Sequence, residues 1–138
     1  MLGKPIGPEP HYAESWEVVD HGADQSLVAD GPLAGTLLHT LVAHHGAALL
    51  GRHAPLARFP LLFKFLDAAQ QLSVQVHPND AQAARCQPPD SGKTEAWIVL
   101  AAEPGSYLYA GLKPGVDGAA LSAAVRQGAC ESCLHRIE

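Results

Sequence analysis

The stretch Leu72-Ser73-Val74-Gln75-Val76-His77-Pro78-Asn79-Asp80, followed by Gly92-Lys93-Thr94-Glu95-Ala96-Trp97, carries the reading of this chain. Residues 72–76 are rich in β-branched side chains and stop at Pro78, which predicts a strand. Residues 95–101 have strong β propensity and predict a second. In an extended chain the side chains at i and i+2 share a face, so Gln75 and His77 point together, and Glu95 joins them if the two strands are neighbours. An amide oxygen, an imidazole nitrogen and a carboxylate are donors that a borderline divalent ion such as zinc accepts. Glu95 is followed by Ala96, Trp97, Ile98, Val99 and Leu100, and a carboxylate entering an apolar strand needs a partner, of which a metal is one. The proline after His77 holds that residue extended and helps to aim its ring. On these residues alone the plainer alternative, a polar strand edge, stays open.

The totals bound the rest. At 138 residues the chain is the size of one domain, expected to run from 1 to 138. Hydrophobic residues make up 47% and charged residues 17%, which supports a packed core and argues against wholesale disorder. A net charge of −5 speaks against nucleic acid as partner, because duplex binding relies on lysine and arginine neutralising phosphates. No apolar run approaches the roughly 20 residues that cross a bilayer, so no membrane partner is expected. The opening residues make a poor secretory signal. Cys86, Cys130 and Cys133 are too few for a disulfide framework, and the Cys130/Cys133 pair lacks the partner motif of a zinc knuckle. A cytoplasmic chain with reduced thiols is the expectation. His21, His39, His44, His45 and His53 show no recurring ligand spacing and read as surface or cap residues.

Along the chain, residues 1–13 read as an irregular arm rich in proline and glycine. Residues 14–20 read as a strand, and 22–32 carry turn signals. Thr36 is placed to cap a helix through Leu37, Leu38, Leu41 and Val42. The apolar run 61–66 suits either a buried strand or a piece of helix. Asn79-Asp80 predicts a cap and a short helix, 107–110 a strand, and 117–127 a helix with Leu121 and Val125 four apart. Short strands, glycine and proline turns and a few helices predict a mainly β barrel or sandwich with helical insertions. Trp16 and Trp97 read as core residues.

Four segments then carry a resemblance: Phe59-Pro60-Leu61-Leu62-Phe63-Lys64-Phe65-Leu66-Asp67-Ala68, the 72–80 stretch, Gly92-Lys93-Thr94-Glu95-Ala96-Trp97, and Tyr109-Ala110-Gly111-Leu112-Lys113-Pro114-Gly115-Val116. In that order, and with Glu14-Ser15-Trp16-Glu17-Val18 ahead of them, they resemble type I mannose-6-phosphate isomerase (phosphomannose isomerase). The resemblance implies a cupin-like jelly-roll barrel, here partial, with one Zn2+ among four protein ligands. Gln75, His77 and Glu95 match three of these. The fourth, a histidine in a later Pro-Ala-Gly-x-x-His motif, and a later catalytic arginine have no match in these 138 residues, and neither does an N-terminal Trp-Gly-Gly element. The expectation is therefore an interior piece of the enzyme, shortened at both ends. His135 does not occupy the motif of the missing ligand.

The implied reaction interconverts mannose 6-phosphate and fructose 6-phosphate, a small-molecule hexose phosphate substrate. It passes through an enediolate, whose growing charge a zinc ion stabilises as a Lewis acid. Lys93, two residues before Glu95, is implied to touch substrate and to act in proton traffic or charge stabilisation; the alternative is a loop lysine in solvent. Ser73 is implied to contact the phosphate; the alternative is a strand serine satisfied by backbone. Lys113 reads as a turn lysine. Two other readings stand beside the enzyme: a non-catalytic cupin-like module that binds metal or sugar phosphate, and a remnant without function.

Overall fold

The structure is a computed structural model that describes residues 7–8 and 12–138. Most of the expected arm over 1–13 lies outside the described residues. The chain divides into two compact units, Met1–Gln71 and Leu72–Glu138.

The first unit contains β1 (Glu14–Val18), β2 (Asp20–His21), β3 (Asp24–Gln25), α1 (Leu38–Leu50) and β4 (Phe63–Leu66). β1 and β4 pair antiparallel, with Glu14 opposite Leu66 and Trp16 opposite Lys64, and an irregularity between Trp16 and Val18. The apolar run 61–66, open to either reading in sequence, is thus a strand over its last four residues. What decides it is a partner for its backbone groups, which β1 supplies. The Lys64 ammonium crosses to the Glu14 carboxylate at 2.6 Å, and the Trp16 indole N–H donates to the other oxygen of Glu14 at 2.7 Å. Trp16, expected in the core, is 43% exposed and bonds to Glu14 instead.

β2 and β3 form a minimal hairpin in which Asp20 faces Gln25 and His21 faces Asp24. Gly22 opens its two-residue turn at φ +56°, where a side chain would strain the backbone. Asp20 is the buried carboxylate of this unit. Its Oδ1 accepts from Gln25 Nε2 at 2.8 Å and meets His39 Nδ1 at 3.2 Å, and its Oδ2 accepts from the Phe59 N–H at 2.8 Å. One side chain thereby ties the hairpin, α1 and the approach to β4. Burial pushes the Asp20 carboxyl upward, but the bonds from Gln25, Phe59 and His39 outweigh it and leave it below the usual range.

Helix α1 does not begin as its sequence predicts. Leu37 is the N-cap and makes no side-chain cap. The Thr36 backbone is engaged in a turn, donating to Leu33 O at 3.0 Å and accepting from Val28 N at 3.0 Å, which sets the threonine one residue too early to cap. Gln25 Oε1 takes over part of that task, accepting the first-turn N–H of His39 at 3.2 Å. His45 breaks the helical dihedrals (φ −128°, ψ 21°), so α1 is kinked there. Val19, Val42 and Leu50 are the buried apolar residues among those described in this unit. The five histidines read as surface residues are all exposed.

The second unit contains α2 (Asp80–Ala83), β5 (Leu108–Leu112), α3 (Gly118–Arg126) and β6 (Leu134–Ile137). Asn79 and Gln82 form a reciprocal capping box at α2, as the Asn79-Asp80 signal predicts. Asp117 caps α3 by accepting from Ala120 N at 2.8 Å. β5 pairs antiparallel with β6, Leu108 opposite Ile137 and Leu112 opposite Leu134. The Arg136 guanidinium sits 4.2 Å from the Tyr107 ring centroid. Ala83 and Cys133 are buried here.

Two predicted strands are not realised. Residues 72–76 and 95–101 belong to no ladder among the described residues. A strand needs a neighbour for its backbone groups, and neither segment has one; Val76 is 85% and Ile98 86% exposed. The architecture of the described residues is three two-stranded sheets with short helices, and no closed barrel is formed among them. No helix among the described residues is long and apolar enough to cross a membrane.

Candidate metal centre

The site is built on a turn-and-return in the second unit. Pro78 O accepts from Lys93 N at 3.0 Å, and the Asp80 carboxylate accepts from Gly92 N at 2.9 Å. A Cβ on Gly92 would lie 2.5 Å from Asp80 N and 2.6 Å from the Asn79 carbonyl carbon, so only glycine permits this approach. The capping box at Asn79 fixes the other side of the contact. Together these bonds lay 92–95 beside 77–80, in place of the strand ladder the sequence predicts. The contact borders an open cavity of about 310 Å³ lined by His77, Pro78, Asn79, Asp80, Gly92, Lys93 and Thr94.

Three of the residues singled out in sequence meet here. His77 Nε2 lies 3.2 Å from Glu95 Oε2, and Lys93 Nζ lies 2.6 Å from that same oxygen. The other oxygen, Oε1, accepts from the Trp97 indole N–H. The His77 and Glu95 side chains are 24% and 28% exposed, and Lys93 is 52% exposed. Hydrogen bonds from Lys93 and then Trp97, with the Lys93 and His77 charges behind them, hold the Glu95 carboxyl at about 2 despite partial burial. Glu95 is thus an anion at any physiological pH.

Gln75 and Ser73 bond to each other, Gln75 Nε2 donating to Ser73 Oγ at 2.8 Å, and Gln75 makes no hydrogen bond to His77, Lys93 or Glu95. The period-two geometry of an extended chain nevertheless persists, since 73 meets 75, 93 meets 95 and 95 meets 97. Trp97, read as a core residue, is 51% exposed and serves to orient Glu95. Its spacing of two from Glu95 is the signal that could have revealed this. Asp80 and Gly92 were not singled out as site residues, and only their juxtaposition in space exposes their part.

The donors of His77 and Glu95 suit a zinc ion in type. Two ligand atoms on a tetrahedral zinc with bonds of about 2.1 Å stand about 3.4 Å apart, close to the separation found here. The arrangement brings one imidazole, one carboxylate and one ammonium together, and no third histidine, cysteine or carboxylate joins them among the described residues.

Residues 4–116 match the family described as Phosphomannose isomerase type I, catalytic domain. The chain belongs to this family. It is 34% identical over 131 residues to Mannose-6-phosphate isomerase ManA of Bacillus subtilis (strain 168), covering 95% of this chain and 41% of that protein. It is 38% identical over 104 residues to the Mannose-6-phosphate isomerase of Streptococcus mutans serotype c (strain ATCC 700610 / UA159), covering 75% of this chain and 32% of that protein. The chain therefore spans about a third to two fifths of the length of these curated relatives. No solved structure matches it.

Proposed function

We propose that the chain is the metal-binding part of a mannose-6-phosphate isomerase, a zinc-dependent enzyme that interconverts mannose 6-phosphate and fructose 6-phosphate in the cytoplasm. The observation that carries this reading is the meeting of His77, Lys93 and Glu95 around one carboxylate oxygen, beside an open cavity. Family membership and the printed names of the relatives supply the reaction. The jelly-roll cupin, with 1–138 as part of a single catalytic domain, is the architecture that goes with it.

His77 and Glu95 would hold the zinc, with Gln75 as a third ligand once its amide turns from Ser73. When bound, the ion supplies Lewis-acid withdrawal of charge from the sugar oxygens. Glu95 gives the site a permanent negative charge, and Trp97 fixes the plane of its carboxylate. Lys93 brings a mobile ammonium to the cavity edge, where it stabilises oxyanion character as a proton leaves the carbon beside the carbonyl. Ser73 donates its hydroxyl to a phosphate oxygen.

The test is a coupled isomerase assay on the full chain with added zinc, compared with Glu95→Gln. Turnover that vanishes in the variant supports the reading, and equal rates in the two proteins would overturn it. A second reading, a module that binds metal or sugar phosphate without turnover, is favoured by one observation: Gln75 bonds to Ser73 and not to the centre. Zinc binding with no isomerisation in the same assay selects it.

A further inference from the structure

One oxygen of Glu95 is shared. Oε2 faces the Lys93 ammonium at 2.6 Å and the His77 imidazole at 3.2 Å, while Oε1 is committed to the Trp97 indole. The imidazole faces Oε2, so a cation held between His77 and Glu95 with the carboxylate as it stands meets that oxygen. An ammonium and a divalent ion at one oxygen repel each other and compete for its lone pairs. We propose that Lys93 is the displaceable resident cation of this centre, competing with a divalent metal ion for Glu95 Oε2 and leaving that oxygen when the metal binds.

The geometry allows such an exchange. The Lys93 backbone is pinned by its N–H bond to Pro78 O at 3.0 Å, so the exchange moves only the side chain. That side chain is 52% exposed, so its ammonium can swing into water without burying charge. Glu95 itself does not need to move, because the indole bond holds its other oxygen. Lys93 thus keeps the carboxylate paired and oriented before metal arrives, at a cost in metal affinity. The inference rests on the metal reading above and goes beyond it by assigning Lys93 a role opposed to metal binding.

The test titrates the full chain with zinc chloride by calorimetry, as wild type, Lys93→Gln, Lys93→Met and Lys93→Arg. Removing the charge should tighten zinc binding ~3- to 10-fold in both neutral variants, while Lys93→Arg stays near wild type. In the wild-type chain, zinc should also speed acylation of the Lys93 amine relative to that of Lys113, read by mass spectrometry. Zinc affinity unchanged or weakened in both neutral variants, or an unchanged labelling ratio, overturns the competition and leaves the metal reading intact. Absence of zinc binding in all four proteins overturns both.

Discussion

The Gly92 N–H donates to the Asp80 carboxylate at 2.9 Å, and the glycine packs so closely that a methyl group there would run into the Asn79–Asp80 backbone. This contact sets Lys93 and Glu95 beside His77 without a strand ladder. It couples the start of a four-residue helix to the placement of a charged site.

Gly92→Ala should therefore act on both. The added carbon meets backbone rather than a flexible side chain, and relief requires the two segments to part. We expect a loss of about 1–3 kcal/mol of stability in chemical denaturation. Weaker zinc binding should accompany it. A variant as stable as wild type would show that 92–95 is free to shift.

Asn79→Ala removes one half of the capping box at α2. The expected cost is about 1 kcal/mol, since one first-turn N–H loses its acceptor. Amide hydrogen exchange at Gln82, whose N–H donates to Asn79 Oδ1, should speed up. Unchanged exchange there would remove the cap from the account of the site.

Glu95→Gln keeps the shape of the side chain but removes the anion shared by Lys93, His77 and Trp97. Zinc affinity should fall by at least about tenfold, by analogy with losses from perturbing groups around metal sites. Calorimetry decides it, and an unaltered affinity would place the metal elsewhere.

Asp20 yields a pH dependence in the first unit. Its folded carboxyl is held below its unfolded value, which lies at about 3.9. The stability it contributes is complete above the unfolded value and is lost as pH falls through the folded one. Asp20→Asn should thus be less stable than wild type at pH 7, by about 1–3 kcal/mol, because a carboxylate whose side chain is only 2% exposed loses its charge and one acceptor. The gap should narrow below about pH 4. Melting curves at pH 7 and pH 3 read it, and a gap independent of pH would contradict the assignment.

How much of this was written in the chain differs from element to element. The cap at Asn79 was legible because its chemistry is local: a side-chain oxygen and an N–H three residues on need nothing else. Asp117, read as the first helical residue, turned out to be a cap of the same kind. The strand 14–18 was legible as well, with its end two residues short of the predicted one. Thr36 misled because its backbone serves a turn with Val28, a partner that helix-start patterns do not include.

At the site, residue types and the spacing of two were properties of sequence alone. They paired 93 with 95, and by the same rule 95 with 97, in a segment that joins no ladder. Which residues meet across the gap was not. His77 and Glu95 are 18 positions apart, and their 3.2 Å approach depends on a hydrogen bond from Gly92 and the space its missing side chain leaves. Gln75 shares the alternation of His77, yet its amide found Ser73 first. Local periodicity sets which side chains can face one way, and only the close approach of two backbone segments decides what they face.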